Sequence, residues 1–274
     1  MLVLSKGFFM HPQDIDRLEK AVTLLEFPSW TARVTDLIGM PLEWAVKKLP
    51  DTANRLISGA TTKAIRKALD IAVATLEPRR RGAPRKRFHK GAVALSGAIG
   101  GFFGLGGLAI ELPASTTIML RSIADIAKSQ GEDISKLDTQ LNCMSVFALG
   151  SKRRGSDDAA ETGYFAVRTV LAKLISETSG FIAERGLVEE GAPIIVRFII
   201  RIASRFEVVI SEKAAAQAVP VIGAVSGAAI NYLFMDHFQS IATGHFTVRA
   251  LERQYGSEAV QAEYARIKAR INVS

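Results

Sequence analysis

Two stretches of this chain carry almost no charge, and glycine recurs through both at helical spacing. The first, Gly91 to Ile110, reads GAVALSGAIGGFFGLGGLAI and follows directly on a basic run, Arg79 to Lys90. The second, Ala214 to Met235, reads AAAQAVPVIGAVSGAAINYLFM. Gly97 and Gly101, Gly100 and Gly104, and Gly223 and Gly227 each stand four residues apart. Glycine at i and i+4 leaves a bare strip on a helix, so another backbone can lie close to it. These six glycines are expected to be helix-packing positions.

The rest of the chain also reads as helix. Pro12 suits the first turn of a helix over 12–27, where Ile15, Leu18, Val22 and Leu25 share a face. Further helices are expected over 31–49, interrupted at Pro41, and over 52–76. Pro113 is expected to open a helix that ends near Gly131, followed by helices over 136–149, 164–178 and 193–206. The second small-residue segment is expected to run as one long helix toward Gly244, kinked at Pro220. The tail, 257–272, is amphipathic through Val260, Tyr264, Ile267 and Ile271. No run of alternating strands is present, so the expected fold is all-α, a compact multi-helix bundle with two Gly/Ala-rich central segments. Residues 1–10 read as an N-terminal extension, with Met10 as an alternative start. Residues 11–274 read as one helical domain carrying a basic loop at 78–90 and a polar surface loop at 151–163.

The stretch 91–110 has the length needed to cross a bilayer, and the basic run before it would suit a cytoplasmic flank. Seven of its twenty residues are glycine, however, and each costs a helix ~1 kcal/mol relative to alanine. Three placements therefore stand open: a membrane span, shallow contact with a membrane surface, or burial in a water-soluble core. The start, MLVLSKGFFM, is too short for a secretion signal, and the lone Cys143 suits a reducing, cytoplasmic compartment. Its apolar context, LNCMSVFAL, marks it as a buried inert thiol.

A net charge of +8 favours anionic partners. Within 79–90 the basic residues are Arg79, Arg80, Arg81, Arg85, Lys86, Arg87 and Lys90. Next to an apolar segment, such a run reads as contact with anionic lipid, each residue adding ~1 kcal/mol near the surface. Arg197, Arg201 and Arg205 repeat at i, i+4 and i+8 on a very apolar helix. That stripe fits either a headgroup interface or a core helix whose arginines reach water or pair with neighbouring glutamates. Nucleic acid is a poorer partner, because aromatics are 7% of the chain and no recognition fold accompanies the charge. No cofactor is expected. Gly104-x-Gly106-x-x-Ala109 imitates a dinucleotide fingerprint but lacks the strand that must precede it.

Candidate chemistry is thin. Glu111, Asp125, Asp236 and His237 border the small-residue segments, and a metal-assisted hydrolase would need all four to converge. Their spacing matches no helical metal motif, so structural pairing is the plainer reading.

Several longer strings carry a resemblance: FGLGGLAIELPASTTIMLRSIADIAKSQGED (103–133), LNCMSVFALG (141–150), GYFAVR (163–168) and SEKAAAQAVPVIGAVSGAAINYLFMDHFQSIATGHFTVRALERQYG (211–256). Together they resemble the EcsC family of bacterial proteins over about residues 12 to 260. The resemblance implies a mainly helical protein. The family's namesake is encoded beside an ABC transporter, in an operon tied to secretion and envelope physiology. It implies no agreed biochemical activity and no established catalytic residues. The expected function is thus a non-enzymatic, membrane-associated helical protein at the inner face of the membrane, touching anionic lipid or a membrane protein such as a transporter. The alternatives are the metal-assisted hydrolase and a soluble scaffold.

Overall fold

Pro12 supplies the first turn of α1 (Pro12–Glu26), where the proline's missing N–H goes unneeded. The helix buries Leu18, Val22 and Leu25 along one stripe, as the spacing requires. The computed structural model describes residues 10–75, 104–151, 163–186, 191–219 and 225–273. The basic run, Gly97, Gly100, Gly101, Gly223 and nearly all of the 151–163 loop lie outside these residues.

α2 (Trp30–Ile38) closes on Gly39, and Pro41 precedes the short α3 (Leu42–Lys47). α4 (Asp51–Thr75) and α5 (Gly104–Ser129) are long and pack extensively on each other. α6 (Leu137–Leu149) is buried almost all round and carries the buried Cys143, whose thiol is pushed up by desolvation. α7 (Tyr164–Arg185), α8 (Pro193–Ala218), α9 (Val225–Tyr255) and α10 (Ser257–Val273) complete the order. The fold is all-α, with no strand among the described residues.

α9 is the spine. It touches α1, α2, α5, α6, α8 and α10. Its Phe234 and Phe238 meet Phe206 of α8 and Phe147 of α6 in a cluster of edge-on, tilted and stacked rings, centroids 4.9–6.1 Å apart. α1 lies along α9 and α10, so the first described helix packs on the last two.

Four expectations are corrected. Pro113 does not open a helix; it sits inside α5, which is already helical at Gly104. Packing on α4 carries the turn through the lost hydrogen bond. α7 passes its expected end at 178 and runs through Gly180 to Arg185. The second small-residue segment is not one helix: α8 takes in Ala214–Ala218, and Val219, forced toward extended backbone by the following proline, ends it. α9 then continues past Gly244 to Tyr255. No described helix is long and apolar enough to cross a membrane.

Candidate functional site

Three groups of buried polar residues each join segments far apart in sequence. The first lies between α5, α8 and α9. Lys213, with no exposed surface, pairs with Glu111 at 2.6 Å. Asn231 donates to the same carboxylate oxygen at 3.1 Å, and the ammonium stands 4.7 Å from the Phe234 ring centre. Burial pushes the Lys213 ammonium below the usual lysine range, and the Glu111 charge opposes that shift. Removing one member of such a buried pair costs ~3–5 kcal/mol, because the other charge is left without compensation. The pair fixes how three helices meet.

The second lies where α7, α9 and α10 meet the end of α1. The Tyr164 hydroxyl and His245 Nδ1 are 2.9 Å apart, and Arg168 reaches both Tyr164 and Glu252. Glu26 at the end of α1 accepts from the Tyr164 N–H and the Tyr264 hydroxyl and pairs with Lys268 at 2.9 Å. Desolvation, then the Arg168 and Arg249 charges, hold His245 well below the ordinary histidine value.

The third surrounds the α1–α2 turn and contains two cavities. One, of about 190 Å³, is lined by residues including Glu26, Phe27, Trp30, Gly150, Glu212 and His237. A second, of about 170 Å³, adjoins it across Trp30 and His237 and reaches Arg33 and Asp236. The Trp30 indole N–H donates to Glu212 at 2.8 Å. Arg33 and Asp236 form an ion pair. His237 Nε2 lies 2.8 Å from the Gly150 carbonyl; a carbonyl only accepts, so Nε2 carries the proton. A Cβ on Gly150 would stand 2.8 Å from the Phe238 ring and 3.0 Å from His237 Nε2, so only glycine lets this imidazole approach. Burial lowers His237 to about 4, against the Gly150 bond and the Asp236 charge, and the ring is neutral near pH 7.

The four residues weighed for a metal-assisted hydrolase are not brought together. Glu111 serves Lys213 and Asn231, Asp236 serves Arg33, and His237 serves Gly150. Asp125 is half-buried on α5, fourteen residues beyond Glu111, which is about 21 Å along a helix. Among the described residues no group of three His, Cys, Asp or Glu side chains is placed to hold a metal ion. The arginine stripe also divides. Arg197 and Arg201 are exposed, while Arg205 donates to the carbonyls of Ala148 and Ser151 at 2.9 Å each and so finishes the end of α6. Of the packing glycines, Gly104 lies in α5 and Gly227 in α9. The close approaches seen among the described residues are at Gly150 and Gly244, where a Cβ would stand 3.2 Å from the Ala21 carbonyl and 2.8 Å from Leu25.

Trp30, Glu212, Glu26 and Lys213 are among the polar residues that the sequence did not single out. A Trp and a Glu 182 positions apart carry no local signature of their hydrogen bond. The nearest hint was a charged Ser211-Glu212-Lys213 triplet leading into an apolar segment.

No curated protein matches this chain, and neither does any solved structure. The family model of the EcsC protein family matches residues 12–251, most of the described helices included. The chain belongs to the EcsC protein family.

Proposed function

We propose that this protein is a non-enzymatic helical protein that associates with the cytoplasmic face of a membrane through anionic lipid and acts beside a membrane protein such as a transporter. The observation that carries this reading is on α8. Ile200 is 55% exposed between Arg197 and Arg201, both in solvent, while Ile195, Phe198, Ile199 and Ile202 on the same helix are buried. An apolar side chain flanked by guanidinium groups on a firmly packed helix suits the headgroup layer, with phosphate taken by arginine and the acyl boundary by isoleucine. Two other surface residues support it. Ile110, at the end of the first chargeless stretch, is 82% exposed. Trp44 is 55% exposed, with the Lys48 ammonium 3.7 Å from its ring centre, a combination at home in an interface. The seven basic residues of 79–90 add charge next to the same stretch.

Sedimentation with vesicles tests it. The protein should pellet with phosphatidylglycerol vesicles at low salt, be released as salt shortens the screening length, and ignore phosphatidylcholine vesicles. Neutralising the seven basic residues of 79–90, or making Arg197→Glu with Arg201→Glu, should weaken binding at least tenfold. A protein that stays in the supernatant with anionic vesicles at low salt overturns the reading.

A further inference from the structure

A single residue separates α9 from α10. Gly256 stands alone between Tyr255 and Ser257, at φ +86°, and among the described residues no other two helices are joined so briefly. The helical ladder reaches this hinge from one side, where the Gly256 N–H donates to the Glu252 carbonyl at 2.9 Å. It resumes on the other, where the Val260 N–H donates to the Gly256 carbonyl at 3.3 Å. Turning Gly256 alone to right-handed values would join the two into one helix over 225–273. The first-turn N–H groups of Ser257, Glu258 and Ala259 would then meet the carbonyls of Arg253, Gln254 and Tyr255, groups that helix ends leave without intrahelical partners. Nothing lies within 4 Å of the place a Cβ would take on Gly256, so the turn is set by left-handed backbone and not by packing around it.

The seat of α10 belongs largely to distant parts of the chain. α1 packs against α10 at least as extensively as α9 does. Tyr264 stacks on Tyr164 and meets Phe165 edge-on, with ring centroids 5.6 and 4.9 Å away. Its hydroxyl and the Lys268 ammonium hold Glu26, and Arg270 pairs with Glu19 at 2.7 Å. These partners lie on α1 and α7, so none of the contacts depends on which molecule supplies the helix. A contact that two copies can make identically, across a short hinge, is what domain swapping requires.

We propose that two copies of this chain exchange α10, with Gly256 as the hinge. The left-handed turn closes the monomer, and the continuous helix carries α10 onto the α1 and α7 of the second copy.

The test uses the full chain with nitroxide labels at exposed helix positions, Lys20→Cys on α1 and Ala262→Cys on α10. The native Cys143 is buried and escapes the label. A chain carrying both labels, measured dilute, gives the α1–α10 distance within one molecule. Chains carrying one label each, once mixed, should acquire that same distance between molecules. The fraction showing it should grow with concentration and run at twice the monomer mass. Gly256→Ala favours the helix over the left-handed turn and should tighten the dimer at least tenfold. Gly256→Asn tolerates the turn and should stay near the wild type. A wild-type mixture without the inter-chain distance overturns the proposal, as does a Gly256→Ala chain no more dimeric than the wild type. The readout is made in solution and is independent of whether vesicles bind.

Discussion

His237 stays neutral because a charged ring would be stranded beneath the α1–α2 turn, and that has a cost in acid. Its folded pKa of about 4 lies below the ~6.5 of an unfolded histidine. As pH falls, the unfolded chain takes the proton first, so stability is full above about pH 6.5 and is lost as pH drops from there toward 4. At about 1.4 kcal/mol per pKa unit, the loss reaches roughly 3 kcal/mol by pH 4. His245, held low by burial and two arginines, acts in the same direction. Urea midpoints should fall between pH 7 and pH 4.5, and His237→Gln should flatten that slope; an unchanged slope would remove His237 as its source. Sequence reading did pick His237 and Glu111 out as polar residues in apolar surroundings. It weighed them together for one metal site, took structural pairing as the plainer reading, and could not name the partners. Their actual partners, Gly150 and Lys213, lie 87 and 102 positions away.

Among the helices, glycines divide by what faces them. Gly244 lets α9 close on α1, and Gly150 lets α6 receive His237 and Phe238. Gly244→Ala and Gly150→Ala should each destabilise by ~1–3 kcal/mol through overpacking. Gly59 in α4 and Gly180 in α7 have nothing within 4 Å of the place an alanine methyl would occupy, so Gly59→Ala and Gly180→Ala should each stabilise by ~1 kcal/mol. Thermal melts of the four variants decide it, and a destabilising Gly180→Ala would contradict the open space seen there. The 3.6-residue rhythm made α1, α4, α6 and α10 legible to within a residue or two, because each carries a single apolar stripe or a clear stop. Pro113 and Gly244 misled, since proline and glycine report local preference, and packing on α4 and α1 outweighs it.

For the whole molecule, α10 is the test of how the ends cooperate. It lies beyond the residues matched by the family model, yet it buries Val260, Tyr264 and Ile267 and supplies two of the groups that hold Glu26. A chain ending at Gly256 should lose on the order of 5 kcal/mol, taking ~1.5–3 kcal/mol for each of the three buried side chains and discounting it as an upper bound. That corresponds to a fall in Tm of ~10 °C or more. A truncated chain melting within a degree or two of the full one would show α10 to be dispensable. None of this closure could be read from the sequence, where α1 and α10 are merely two amphipathic segments at opposite ends.

The packing of α1 on α9 also governs how the protein must be made. Asp14 and Tyr255 hydrogen-bond across 241 positions. At ~5–20 residues per second, a ribosome needs roughly ten to fifty seconds to deliver the second after the first. Throughout that interval the Leu18, Val22 and Leu25 stripe has emerged without the surface that will cover it. The stripe is therefore covered only once the last helices have been made, so closure of the bundle comes late in synthesis.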